Sequence, residues 1–445
     1  MYSIVQSCIV TILSCVWFAV HPNIPAPKIF RPRHSNLFAR TILFLRHAIL
    51  DQKQAAVVFM VSLLAPEWVL AWALRQLLVA RKLVQQLEIA RIEANEKYKT
   101  ATPEPLEPEG DDLDGTTLGS SITVYTREHV YLTEDHSEYD QMMMAKNIAR
   151  TSEVLKTIHA FFAIMGGYHS YSKTGPLHPL SPKNVIELVR RGHIVIPTTD
   201  ELKNQSKGDA LSKSIAIVQT LWFVTQCIAR RIEHLSLTNL EVITLAYTVI
   251  TVAMYIVWWD KPLNVICAVR VAEEEGKEEE AQGAAFESTW HRIACYVIGT
   301  QDFFVDLRQC TGVPASWAGD CDHDSYKFVA ADVIALLVAM VFGAVHCMAW
   351  SYDFQSPLEQ QLWRGSAVVI MVFPPALLVP PAMAMGMGAL GQEQIYVLTM
   401  LLCVPLGLIY VAARIILIVI AMTSLRNLPV SAYQTVPWTV FVPHL

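Results

Sequence analysis

Five stretches of this chain are apolar over a length that meets or approaches the thickness of a lipid bilayer. They are Ile4–Val20, Ile215–Ala229, Val242–Trp259, Phe328–Trp350 and Ile395–Met422. A hydrocarbon slab about 30 Å thick is crossed by about 20 mostly apolar helical residues. Every backbone amide within it needs an internal partner, so such segments are expected to be helices. Ser366–Leu390 is a sixth candidate, unusual for its prolines, and Ala55–Leu74 a seventh, interrupted by Pro66 and Glu67. The composition agrees: 53% of residues are hydrophobic and 17% charged, against about 25% charged in a typical soluble chain. The expected fold class is therefore all-α, a polytopic helical membrane protein with about seven transmembrane helices, a small helical polar region and acidic disordered loops. The bilayer is the expected partner, in a multi-pass location in the plasma membrane or an endomembrane.

Charge supplies the domain plan. Lys28, Arg31, Arg33, Arg40, Arg46 and Lys53 follow the first apolar stretch. The positive-inside rule places that loop in the cytosol, and with seven crossings the N-terminus is then outside and the C-terminus inside. The first stretch lacks a basic leader and a small-x-small cleavage site, so it is expected to be a retained helix. Two acidic tracts, residues 101–115 and 272–283, cannot bury enough apolar surface to fold. The plan becomes N-terminal membrane helices and a basic loop in 1–100, an acidic and Pro-rich linker in 101–121, and a polar, partly helical region in 122–213. A transmembrane pair follows in 214–260, an acidic polar loop in 261–326, and C-terminal transmembrane helices in 327–445. A net charge of −6 gives no sign of nucleic-acid binding.

Helix starts are readable. Ser181 with Pro182 begins one helix; Thr198 with Glu201 and Thr238 with Glu241 form capping boxes for two others. Pro66–Glu67 is a good helix start, so "APEWVLAWALRQ" begins a new helix inside or at the surface of the membrane, with Arg75 two turns on. The helix led by Thr238 ends in "YIVWWDKPLNV", residues 255–265. Tryptophans favour the headgroup boundary, Asp260 and Lys261 belong in water, and Pro262 stops the helix. Membrane exit accounts for every residue there; a functional Asp260 is the second reading.

Several stretches together resemble a large family of uncharacterised fungal multi-pass membrane proteins. They are "SCIVTILSCVWFAVHPNIPAP" at 7–27, "APEWVLAWALRQ" at 65–76, "HAFFAIMGGY" at 159–168 and the run at 206–230. "WWDKPLNV" at 258–265, "FGAVHCMAW" at 342–350, "LWRGS" at 362–366 and the C-terminal "VPHL" follow in order. The resemblance spans nearly the whole chain and implies a membrane-embedded fold. It implies no activity.

Polar residues within apolar stretches are the candidate functional residues: Glu67, Gln219, Gln226, Asp332, His346 and Arg414. Asp332, Ala335, Ala339, Gly343 and His346 share one helical face whose small residues let a second helix approach closely. Structural pairing of Asp332 and His346 stands beside function. Gln219 and Gln226 share another face, and Arg414 can snorkel to the headgroups. Pro374, Pro375, Pro380 and Pro381 break or kink their segment, as in transporters that bind solutes at discontinuous helices; a kinked packing helix is the simpler reading. "GMGALG" at 386–391 lacks the strand and helix a dinucleotide site requires.

Cys310 and Cys321 could pair, and Asn204 in "NQS" could be glycosylated, if both loops are lumenal. His159 is expected to be a packed histidine. No catalytic motif, cofactor site or metal cluster is expected. The readings are a non-catalytic sensor or scaffold, with a small-solute or ion transporter using the Pro-broken helix 366–390 as the alternative. A membrane enzyme using His346 and Asp332 comes last.

Overall fold

The structure, a computed structural model, describes residues 2–27, 53–101, 153–206, 209–273, 289, 292, 295, 301–315, 317–319, 325–376, 392–434 and 436. The linker at 101–121, apart from Ala101, Pro380, Pro381, Cys321 and the stretch 386–391 lie outside them. Eleven helices are described. They are α1 (Tyr2–Ala19), α2 (Lys53–Leu64), α3 (Pro66–Ala101), α4 (Thr157–Ile164), α5 (Pro182–Arg190), α6 (Thr199–Gln205), α7 (Asp209–Ile232), α8 (Asn239–Val257), α9 (Ser325–His346), α10 (Pro357–Ala376) and α11 (Gln392–Ser424).

Four of these contain spans long and apolar enough to cross a bilayer: Leu211–Ile232, Asn239–Val257, Val329–Ala349 and Leu401–Ser424. The pair α2–α3 makes a fifth if its two halves count as one. The apolar part of α1, Ile4–Ala19, covers only about 24 Å at 1.5 Å per residue. A central helix is distinguished from peripheral ones by how much of it is covered. The α8 span is 72% buried and touches α1, α3, α7, α9 and α11, whereas the α7 span is 28% buried. The uncovered faces are apolar: Val218, Leu221, Leu337, Val341, Leu408 and Val419 all point outward. Such a surface is compatible with a membrane location.

The helix starts follow from their sequences. Ser181 accepts a bond from the Asn184 amide with Pro182 in the first turn of α5, and Thr198 and Thr238 form reciprocal capping boxes with Glu201 and Glu241. The chain departs from the all-α expectation in one place. β1 (Tyr168–Ser172) pairs antiparallel with β2 (Gly175–Pro179) and parallel with β3 (Val269–Ala272). Gly175, at φ +145°, makes the tight hairpin reversal possible. β3 comes from the region expected to be a solvated loop, so 261–326 contributes to the folded body. The sheet, α4, α5 and α6 form a polar subdomain. Its α4 and α5 pack on α3, where Arg190 bonds Glu93 at 2.7 Å and Glu88 accepts from the Leu155 amide at 3.2 Å.

A sharp break in the helical run lies at Ala65; of the proline-rich segment, residues 377–391 lie outside the described residues. At Ala65, α2 and α3 meet at a bend of 117°, so Ala55–Leu74 is not one straight helix. Pro374 and Pro375 sit in the last turn of α10, which remains helical to Ala376. On the small-residue face of α9, Ala335, Ala339, Gly343 and His346 are buried and Asp332 is half-buried. A Cβ on Gly343 would lie 2.6 Å from the Met371 Cα of α10. Backbone cannot yield as a flexible side chain would, so Gly343→Ala is expected to cost about 1–3 kcal/mol. A thermal unfolding midpoint in detergent equal to that of the unsubstituted protein would contradict this helix crossing.

Candidate functional site

Two polar centres occupy the interior of the bundle. The first surrounds Lys261. Its side chain is fully buried, and Nζ donates to the His21 carbonyl at 2.6 Å, Gln76 Oε1 at 3.0 Å and Asn23 Oδ1 at 3.3 Å. An ammonium has three protons, and three oxygens receive them. The rings of Trp258 and Trp72 lie 4.7 and 4.8 Å away, offering their electron-rich faces. The acceptors are themselves fixed. Gln76 Nε2 donates to the Trp317 carbonyl at 2.9 Å, Asn23 Nδ2 to the Pro314 carbonyl at 2.8 Å, and Trp258 Nε1 to Gln76 Oε1 at 3.2 Å. Burial pulls the Lys261 pKa well below the ordinary lysine value; the oxygens and indole faces favour the charged form.

The membrane-exit account of "WWDKP" is therefore corrected. Trp259 and Asp260 are exposed, but Trp258 and Lys261 point inward. The reason is tertiary. Gln76 comes from α3, Asn23 from the chain after α1, and the Trp317 carbonyl from the loop before α9. The same loop reaches the polar subdomain, where His169 Nε2 lies 3.3 Å from the Thr311 carbonyl and Val313 packs against Gly166. Lys261 is thus the joint between bundle and subdomain.

The second centre lies at the α2–α3 break. A helix that stops leaves its last carbonyls without partners. Here Arg414 Nε of α11 donates to the Leu64 carbonyl at 3.1 Å, and the Tyr247 hydroxyl of α8 donates to that of Leu63. The guanidinium lies 4.0 Å from the Phe342 ring centre and 5.3 Å from that of Tyr247. Arg414 is buried and does not snorkel; it caps α2, whose C-terminal dipole favours a cation. Glu67, in the first turn of α3, is buried beside the Tyr410 hydroxyl and within electrostatic reach of Arg414. His346 joins from α9, its Nδ1 2.8 Å from the Phe342 carbonyl and its own carbonyl accepting from Trp363 Nε1 at 3.2 Å. A cleft of about 160 Å³, counting its open mouth, separates Tyr247, His346 and Arg414 and is too tight to seat a water molecule.

The candidate residues thus divide. Glu67, His346 and Arg414 meet. Asp332 does not join them: it forms a two-pronged bond with Arg75, Nε to Oδ1 at 2.9 Å and Nη2 to Oδ2 at 2.6 Å. An active site shared by Asp332 and His346 is not formed. Gln219 bonds Thr11 of α1 at 3.0 Å, and Gln226 is half-buried. Cys310 carries a free thiol; Asn204 is exposed on α6, whereas Ser206 of the same sequon is buried and accepts from the Leu263 amide. His159 is a packed histidine, 1% exposed. Among the described residues no group of three or more potential metal ligands occurs.

Sequence reasoning missed the partners of Lys261, and it missed Arg230. That residue bonds the carbonyls of Ser236, Ala432 and Gln434 and lies 3.4 Å from Glu241, tying the chain after α11 to the α7–α8 turn. The available signal was that "HPNIP", "APEWVLAWALRQ" and "WWDKPLNV" each carry a polar residue among aromatic or apolar ones.

A model of a family of unknown function (DUF8562) matches residues 124–316. That stretch holds the polar subdomain, α7, α8, Lys261 and Pro314, and leaves out Asn23, Glu67, Gln76, His346 and Arg414. No curated protein and no solved structure matches the chain.

Lys261→Met keeps the apolar stem and leaves the His21 carbonyl without its partner, an expected loss of about 1–3 kcal/mol. The pH dependence has a definite sign. With a folded-state pKa below the unfolded value, the unfolded chain binds more protons between the two, so stability rises with pH through that window. Unfolding measured across pH is expected to show this rise in the parent protein and its flattening in Lys261→Met; parallel curves would contradict a buried amine.

Proposed function

We propose that this chain is a multi-pass integral membrane protein, of the uncharacterised fungal kind its motifs resemble, acting as a non-catalytic sensor or scaffold. One observation carries the reading. The single helix α3 has its first turn at the buried Glu67–Arg414 centre and its distal turns against the polar subdomain. From Glu67 to Glu93 it covers about 39 Å at 1.5 Å per residue. A continuous helix is a stiff connection, and Lys261 binds the subdomain's loop to that same helix through Gln76. A change of charge at the first turn therefore bears on how the subdomain is held.

Transport of a small solute or ion is the second reading. The broken helix at Ala65, with charged residues at both half-helix ends, favours it. Discontinuous membrane helices present such ends to ions.

Hydrogen exchange in the liposome-reconstituted protein separates the two. The sensor reading expects Glu67→Gln to alter amide protection in residues 168–179, with no ion or solute flux across the same liposomes. Unchanged protection, together with an ion or solute flux that falls in Glu67→Gln, would replace it with transport.

A further inference from the structure

The α2–α3 break places opposite demands on one carboxyl group. Glu67 is 5% exposed, and the Tyr410 hydroxyl, itself buried, lies beside its carboxyl group. A carboxyl group in such a place has given up its hydration. Two features favour the anion. Glu67 lies in the first turn of α3, where the helix dipole is positive, and Arg414 stands across from it on α11.

The groups that face the carboxyl are few. Among the described residues α8 contributes Tyr247 and α11 Tyr410 and Arg414, with His346 of α9 beside Arg414; the terminal carbonyls of α2 there accept from Tyr247 and Arg414. Among the described residues the hydrogen bonds of Arg414 run to neutral oxygens, the Leu64 carbonyl and the more distant Tyr247 hydroxyl at 3.5 Å. Its charge is therefore offset, when it is offset, by Glu67. The cleft beside it admits no water molecule and hence no hydrated ion. A proton needs no cavity.

We propose that Glu67 is a proton-binding site within the membrane layer, and that its occupancy sets the net charge at the broken helix. In the step itself only the carboxyl O–H bond forms or breaks. The proton exchanges with bulk water, the electron pair stays on the carboxylate, and the centre alternates between the charge of Arg414 alone and a neutral pair. Through α3 this gives the sensor reading its stimulus. The inference rests on that reading for its biological meaning, but its test does not.

Infrared spectra of the protein in liposomes, differenced against Glu67→Gln, report the acid form directly, because lipid ester bands cancel. Gln is the neutral isostere of the protonated acid, and Glu67→Asp, which keeps an acid there, guards against a misfolded variant. The expected result is a carboxylic C=O band that disappears as pH rises, is absent in Glu67→Gln and persists at a shifted frequency in Glu67→Asp. Removing the cation in Arg414→Gln is expected to shift the midpoint. No band removed by Glu67→Gln at any pH where the protein is folded, a band that never titrates, or a midpoint indifferent to Arg414→Gln would overturn the proposal. None of these outcomes depends on whether the subdomain responds, so a failed exchange experiment with a titrating band removes the sensor reading alone.

Discussion

Cations cannot be left bare in an apolar interior, and Lys261 and Arg414 are the two most completely enclosed among the described residues. Neither has a close carboxylate hydrogen-bond partner among the described residues. Each is instead surrounded by neutral oxygens and aromatic faces, drawn from three or four chain segments apiece. Because an unmatched buried charge costs several kcal/mol, the segments that supply those oxygens must come together or the cation must leave. This requirement relates α1, α3, the end of α8 and the loop before α9 around Lys261. It relates α2, α3, α8, α9 and α11 around Arg414. The apolar surfaces decide that the helices pack; the two cations decide which turns face one another.

The two centres are linked by α3. Glu67 opens it, Arg75 pairs with Asp332 across the α9 contact, Gln76 accepts from Lys261, and Glu88 and Glu93 meet the polar subdomain. The motifs on which the family resemblance rests gather at the same places. "HPNIP", "APEWVLAWALRQ" and "WWDKPLNV" meet at Lys261. "FGAVHCMAW" and "LWRGS" meet beside Arg414, where His346 contacts Trp363. The matched family stretch at 124–316 supplies the subdomain and the lysine, and the flanking helices supply what the lysine binds.

Local chemistry was legible in the sequence, and long-range satisfaction was not. Ser181, Thr198 and Thr238 announce helix starts because a cap acts within three residues. Pro66–Glu67 announces a new helix for the same reason, and the Ala335–Ala339–Gly343 spacing announces a close crossing. The sheet was missed because β3 joins β1 from almost a hundred residues away, although "YSKTGP" carries a hairpin signal in its glycine. Lys261 was assigned to water because lysine usually belongs there, and nothing adjacent to it reveals Asn23 or Gln76. A break was also expected at four prolines, of which Pro374 and Pro375 lie within α10 and Pro380 and Pro381 lie outside the described residues.

The central claim is that Lys261 is sealed inside the joint between bundle and subdomain. Reaction of the intact protein in liposomes with a membrane-permeant amine-reactive ester, followed by peptide mass mapping, tests it most directly. Exposed Lys156 and Lys173 are expected to be modified rapidly, and Lys261 only after denaturation. Modification of Lys261 in the folded protein at the rate of the exposed lysines would contradict the account.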